Sequence, residues 1–369
     1  MMNKVLMVHQ GAELYGSDRS FLSVVCYFKE SFSGYNKVIL PHEGELSKCM
    51  EDIGVDPSYH DLGVLRKKDV KNPLSFLLNL FRSVKFYFKE YREVDVIYIN
   101  TVVMLSALLT ALFYKHKKII CHVREIPSKN QMWFFKILLK TSRAKLIYNS
   151  LATKNAFNMA GDVIYNGVPP GNSLENEFIR NDFSSSTHFL IIGRINSWKG
   201  QDLFLKAVSQ LEVDVKDKIN IRIVGGTFGG NDSALDELHK IVKQNKLQDV
   251  VNFYDFADDP SAHFVWSDWI VVPSKSPEPF GRVAAESFAF SKPVIAANHG
   301  GLAEIVTDQK NGFLFIPNSC EDLVTTLRNA ALQSESEFKT FCSAAKFEYD
   351  QRFSETSYQI SLYKAILGG

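Results

Sequence analysis

Two carboxylates, Glu278 and Glu286, bracket a Pro-Phe-Gly turn in the stretch PSKSPEPFGRVAAESFAFSKPVIAA (residues 273–297). The turn ends in Gly281, and residues 282–289 then run in good helix formers. A helix starting near Gly281 leaves the N–H groups of its first turn unpaired, a ready site for phosphate. Glu278 sits just before that site and Glu286 about 1.5 turns inside the helix, at roughly 3.6 residues per turn. The arrangement suits a ligand with phosphate in the middle and hydroxyl-rich groups at each end, which is the shape of a nucleotide sugar.

Other candidates stand just after strand-like runs. In GRINSWKG (residues 193–200), Arg194 and Lys199 offer a bidentate fork and a point charge. Together they could hold both phosphates of a diphosphate and stabilise a departing one. Two exposed basic residues on a loop is the plainer alternative, and the nearby Glu278–Glu286 element favours the functional one. Gly225, in RIVGG, is a weak phosphate or nucleoside contact, with Gly229 and Gly230 shortly after. In HQGAELYGSDRS, Gly16 could let the backbone approach a ligand closely, and Ser17 and Asp18 could cap the next helix. His122, in CHVRE, is either structural or placed to bond a sugar or acceptor hydroxyl or to move a proton. Arg124 and Glu125 beside it could pair with each other.

Several chemistries lose support. No His, Cys, Asp or Glu cluster has metal-ligand spacing, and there is neither a G-x-S-x-G elbow nor a Walker A sequence. Neither half carries the G-x-G-x-x-G fingerprint of a nicotinamide dehydrogenase.

The elements that must position these groups alternate along the whole chain. Strand-like runs fall at 4–9, 37–40, 95–99, 118–122, 145–149 and 163–165, with helical patterns at 18–29, 74–91, 103–113, 131–140 and 151–159. Residues 166–187 are rich in Gly, Pro, Ser and Asn, a linker by composition. A second series follows, with strands at 188–192, 220–224, 250–254, 269–272 and 293–296. Its helices fall at 201–210, 234–245, 282–290 and 320–332, and a last one at 355–367. The pattern predicts α/β architecture with two Rossmann-like, doubly wound parallel-sheet domains. The expected division is 1–167, a linker at 168–187, and 188–354, with 355–369 as a closing helix. Ligands of such sheets bind beyond the carboxyl ends of the strands, so two domains facing each other would form a cleft there.

Composition is that of a globular protein, 46% apolar and 22% charged, with a net charge of +1. Five scattered cysteines indicate a reducing compartment. The opening MMNKVLMVHQ has no signal-peptide layout, and no apolar run approaches the ~18 residues of a membrane span. A cytoplasmic protein is expected. Residues 1–170 carry 23 Lys+Arg against 15 Asp+Glu, and 17 basic against 5 acidic residues lie within 66–145. Helical patterns LSFLLNLFRSVKFYFKEY and QMWFFKILLK in that stretch mix basic with apolar residues. Sheet-covering helices would explain them; so would a basic face on the inner surface of an anionic membrane.

The chain resembles the family 4 glycosyltransferases of the two-domain GT-B fold over nearly its full length. The resemblance rests on SPEPFGRVAAESFAFSKPVIAANHGGLAEIV, with its E-x7-E element, and on IGRINSWKGQDLFLKAV. The Gly-bearing first loop and DVIYINT, HVRE and YNS at strand ends support it. It implies a retaining, metal-independent transfer of sugar from a nucleotide donor, UDP- or GDP-linked and without further cofactor. The expected acceptor is a glycan or lipid-linked glycan such as a growing bacterial surface polysaccharide, and no nucleic acid is involved. By the same resemblance Glu278 binds donor-sugar hydroxyls, Glu286 the ribose, and Arg194 with Lys199 the diphosphate. Backbone N–H groups of Phe280, Gly281, Arg282 and Val283 complete the phosphate cradle. Ala257, in FYDFADD, contacts the base, while His122 and Gly16 lie near the sugar, and the last helix crosses back to the first domain. A nucleotide-sugar epimerase or hydrolase, and a non-catalytic module binding nucleotide sugar or membrane, are the alternatives.

Overall fold

The computed structural model describes residues 4–14, 16–31, 36–61, 63, 73–170, 185–227 and 233–367. Most of the Gly- and Pro-rich linker, with Gly229 and Gly230, lies outside the described residues. The chain forms two compact units, residues 1–167 with 358–369, and residues 168–357.

The first unit runs β1 (Val5–His9), α1 (Gly16–Ser31), β2 (Asn36–Leu40), α2 (Glu45–Asp52), β3 (Ser58–Tyr59), α3 (Pro73–Arg92) and β4 (Val96–Asn100). It continues through α4 (Leu105–Ala111), β5 (Lys118–Val123), α5 (Lys129–Ser142), β6 (Lys145–Tyr148), α6 (Leu151–Phe157) and β7 (Asp162–Val163). Its strands are all parallel, in the order β3-β2-β1-β4-β5-β6-β7. Every residue of β1 is buried, because helices cover both faces of such a sheet. Alternation then sorts the side chains: Leu6 and Val8 enter one core with α3, α4 and α5, whereas Val5 and Met7 enter another with α1 and α2.

The second unit runs β8 (Thr187–Ile192), α7 (Gln201–Ser209), α8 (Val213–Lys216), β9 (Ile219–Val224), α9 (Ser233–Gln244), β10 (Val251–Tyr254) and α10 (Ser261–Trp266). Then come β11 (Trp269–Val272), α11 (Arg282–Ala289), β12 (Val294–Ala297), α12 (Leu302–Ile305), β13 (Gly312–Phe315), α13 (Cys320–Ala331) and α14 (Glu335–Glu348). Its parallel sheet has the order β10-β9-β8-β11-β12-β13. The core is built around Trp269, fully buried against Phe313, Phe338 and Phe341.

A single wide turn (Tyr349–Phe353) leads to the last helix, α15 (Glu355–Leu367). Tyr358, Leu362, Ala365 and Ile366 of α15 fill the same core as Val5 and Met7, and Lys145 Nζ donates to the Ala365 carbonyl at 2.6 Å. The last helix thus belongs to the first unit.

Strand order reverses between β1 and β4 in one sheet and between β8 and β11 in the other. Crevices for ligands form at such points, outside the carboxyl ends of the strands. His9 and Asn100 end one pair; the segments after Ile192 and Val272 end the other.

Candidate functional site

In the second unit the loop after β8 and the loop after β11 meet at the switch point. Asn196 shapes the first: its Oδ1 accepts from the N–H groups of Trp198 (3.2 Å) and Lys199 (3.1 Å), a side-chain turn typical of asparagine. The two loops are tied by the Lys275 N–H, which donates to the Trp198 carbonyl at 2.7 Å. Lys275 Nζ adds a bond to Asp202 at 2.6 Å. With the loops fixed, Lys199 Nζ donates to Glu278 Oε1 at 2.8 Å, and Ser274 Oγ donates to the same oxygen. Both charged side chains are largely buried. A buried carboxylate is stable only when its charge is balanced, and here the balancing cation comes from 79 residues away.

Gly281 is the residue before α11, and its φ of +102° is one that side chains resist. The residue before α11 is a glycine, which brings no capping side chain. Phe280 is buried against Phe353, which leaves its backbone as the part able to face a ligand. Arg282 and Val283 begin the helix, and Arg282 Nε donates to Glu286 Oε1 at 2.7 Å, one turn on. Glu286 is therefore held by a neighbour on its own helix.

Arg194 is exposed at the end of β8, and its carbonyl accepts from Gln201 Nε2 at 3.1 Å. Gly225 lets the ends of β8 and β9 close up: a β-carbon there would lie 2.0 Å from the Gly193 carbonyl oxygen. That gives it a packing role. Ala257 lies in the loop after β10, half-buried beside an exposed Phe256.

In the first unit His9, Asn100 and His122 stand side by side at the ends of three adjacent strands. They belong to a buried polar chain. His9 Nε2 is 2.6 Å from Asp18 Oδ1, its Nδ1 is 2.7 Å from Asn100 Nδ2, and Asn100 Oδ1 accepts from Arg124 Nε at 2.6 Å. Arg124 also donates to Asn166 and to Tyr358 of α15. Asp18 thus bonds a histidine, and Gly16 opens α1 two residues before it. The guanidinium of Arg124 reaches Asn100, Asn166, His122 and Tyr358, and not Glu125. Their pairing is corrected to a bond from the Arg124 N–H to Glu125 Oε2 at 3.3 Å. Thr101, at the unusual φ of +87°, donates to the other oxygen. Burial outweighs these bonds and pushes the Glu125 carboxyl up to about 7.

His122 is fully buried. Tyr98 OH is 2.5 Å from its Nδ1 and Arg124 Nη2 is 3.3 Å away. Arginine can only donate, so Nδ1 accepts and the proton sits on Nε2. That Nε2–H finds no partner among the described residues. Burial, and then the positive charge of Arg124, hold the ring well below the ordinary histidine pKa. The imidazole should stay neutral, as the Nε2–H tautomer, between about pH 6 and 8. Nitrogen NMR would show one unchanging His122 signal over that range; a midpoint near 6.5 would contradict it.

Among the described residues no group of three or more His, Cys, Asp or Glu side chains could hold a metal ion. Of the cations in these segments, Lys199 pairs with Glu278, Lys275 with Asp202 and Arg282 with Glu286, while Arg194 is exposed at the end of β8.

Residues 174–346 match the family described as glycosyl transferases group 1. The matched residues lie within the second unit. D-inositol 3-phosphate glycosyltransferase 2 of Catenulispora acidiphila is 34% identical over 143 residues, 37% of this chain and 33% of that protein. The chain thus matches about a third of that relative's length. A second relative, the uncharacterized glycosyltransferase MJ1178 of Methanocaldococcus jannaschii, is 28% identical over 296 residues, 76% of this chain and 77% of that one. Among solved structures, Anabaena Alr3699/HepE in complex with UDP and glucose matches at a TM-score of 0.80, with 23% identity and 98% of both chains covered. Two parallel-sheet α/β domains in this arrangement of elements are the GT-B fold.

Within the second unit, the residues that hold Glu278 in place carry no motif that points to it. Gly301 N–H donates to the Glu278 carbonyl at 2.8 Å, and His299 Nε2 is 2.8 Å from the Ser274 carbonyl. The HGG triplet after β12 was their only local signal. Likewise nothing around His9 or Asn100 announced the chain of bonds that Arg124 completes.

Proposed function

We propose that this protein is a retaining, metal-independent glycosyltransferase that moves a sugar from a nucleoside-diphosphate donor to a glycan or lipid-linked glycan. The observation that carries the reading is the buried Lys199–Glu278 pair beside the uncapped amino terminus of α11, at the point where strand order reverses. Nucleotide-diphosphate chemistry needs a fixed positive region for the phosphates and a carboxylate for sugar hydroxyls, and this pair offers both.

In the step itself the bond from the anomeric carbon to the diphosphate oxygen breaks, and its electron pair leaves with the diphosphate. Arg194, Lys199 and the N–H groups of α11 stabilise that charge. The acceptor hydroxyl bonds the same face of the anomeric carbon and gives its proton to a donor phosphate oxygen. No separate cofactor takes part. Glu278 fixes sugar hydroxyls, Glu286 takes the ribose, Phe280 to Val283 line the phosphates, and the backbone at Ala257 meets the base. In the first unit, the buried Nε2–H of His122 is the group assigned to a hydroxyl oxygen in this reading, and Gly16, at the start of α1, the backbone assigned to approach the ligand.

UDP-sugars are the first donors to test, since the structural neighbour was crystallised with UDP and glucose. A melting-temperature screen of UDP-, GDP- and ADP-sugars should find one nucleotide class that stabilises the protein, by about 2.7 kcal/mol at a hundredfold excess over Kd. Stabilisation by none would refute the reading. With the active donor, Glu286→Ala should raise the donor KM about tenfold and leave kcat nearly unchanged, because a ribose contact is the same before and during transfer. A loss confined to kcat would remove Glu286 from that role.

A further inference from the structure

On one face of the first sheet α3 packs on α4 and α4 on α5, and all three feed one core. In parallel β-α-β units each helix returns antiparallel to its strands. The amino-terminal halves of α3 and α5 therefore lie at the sheet edge that carries His9, Asn100 and His122.

The inward sides of these helices are filled, with Tyr87, Tyr91, Phe135 and Leu138 buried. Their outward sides are apolar as well. Leu74 and Phe81 of α3 are 70% and 71% exposed, and Leu77 and Leu78 more than half. On α5 Trp133 is 71% exposed, with Phe134 and Ile137 at 40% or more. At about 100° per residue, Leu74, Leu77, Leu78 and Phe81 form one stripe of α3. Exposed Lys85, Lys89 and Arg92 extend it toward the helix end. On α5 exposed Lys129 and Lys140 share the stripe of Trp133 and Ile137. Single exposed apolar residues are ordinary on a protein surface; seven on two helices of one layer are not.

We propose that this face docks on an anionic lipid bilayer. The leucines and aromatic rings of α3 and α5 enter the boundary between headgroups and acyl chains, and the lysines and arginines meet lipid phosphates. A lipid surface supplies an apolar phase and negative charge in one plane. A second copy of the chain would not: self-association of this patch sets like charge against like. The docking is peripheral, since no helix among the described residues is long and apolar enough to cross a membrane. It also requires no donor nucleotide, so its test is independent of the transferase reading.

The full chain should be sedimented with vesicles of phosphatidylcholine alone and with vesicles about one-third phosphatidylglycerol. Binding is expected to the anionic vesicles, at least tenfold weaker to the neutral ones, and weakened by salt. Trp133 emission should shift to the blue on binding, a change absent from Trp133→Phe. The triple variant Leu77→Ser, Phe81→Ser, Trp133→Ser should keep its melting temperature and lose about tenfold or more in vesicle affinity. Lys85→Glu with Lys89→Glu and Lys140→Glu should lose the preference for anionic lipid. Wild-type protein that stays in the supernatant with both vesicles would overturn the proposal, as would a triple variant that binds normally. A wild-type dimer in solution that Phe81→Ser dissociates would also overturn it, making the face an interface between copies.

Discussion

Lys199→Ala should lower turnover by about 10²–10³-fold with donor at saturation, the usual cost of removing one group aimed at developing charge. Two losses combine in this variant. The departing diphosphate loses a cation, and the Glu278 carboxylate keeps its buried place without the partner now 2.8 Å away. An uncompensated buried charge is costly, so Glu278 is expected to take up a proton or turn toward solvent, and either outcome spoils its hold on sugar hydroxyls. Lys199→Arg keeps the charge but replaces a point cation by a planar fork, and it should recover only part of the rate. The decisive measurement is kcat for the wild type, Lys199→Ala, Glu278→Gln and the double variant. Strong coupling, with the double variant no worse than the poorer single one, is expected for groups acting as a unit. A Lys199→Ala enzyme with near-normal kcat would remove Lys199 from the reaction.

The second large effect comes from a residue that touches no ligand in the proposed reaction. A β-carbon on Gly301 would lie 2.1 Å from the Phe280 carbonyl oxygen and 2.6 Å from the Phe280 Cα. At Gly300, where φ is +59°, it would lie 2.5 Å from the Glu278 carbonyl oxygen. These neighbours are backbone and cannot swing aside. Gly301→Ala must therefore displace residues 278–281 together, which moves Glu278 from Lys199 and turns the amino terminus of α11. Displacements near 1 Å at a reacting site cost about 10²-fold, so kcat/KM should fall at least that far. The core around Trp269 lies elsewhere in the unit, and circular dichroism should show the helices retained. Unchanged donor affinity in calorimetry would mean that the loop accommodates the methyl group without moving.

The two-sheet plan was legible because buried parallel strands read as unbroken apolar runs: Val5 to Val8 and Trp269 to Val272 are entirely buried. Short elements were harder. β13 opens on a glycine and has four residues, and α2 is eight residues long. α14 was passed over although Ser334 and Glu337 form a reciprocal cap at its start, a signal present in the sequence as S-E-S-E. Within the site, Glu278, Gly281 and Lys199 could be read from local motifs, since turn chemistry and helix starts are local. What could not be read is long-range: which cation meets Glu278, and which backbone Gly301 lies against. The Arg124–Glu125 pairing fails for an elementary reason. Successive side chains at a strand end point to opposite sides, so Arg124 shares a side with His122, two residues away, and bonds it.

The closing helix α15 sets an order of assembly for protein synthesis. Residues 1–167 leave the ribosome first, yet the face of their sheet that holds Val5 and Met7 is finished by Tyr358, Leu362 and Ile366. Arg124, buried at the end of the chain of bonds from Asp18, also has Tyr358 among its partners. Residues 168–357 must be made before these side chains exist. The second unit, contiguous in sequence, can close while its predecessor still exposes an apolar face, a condition that invites chaperones. The unit translated first is the one completed last.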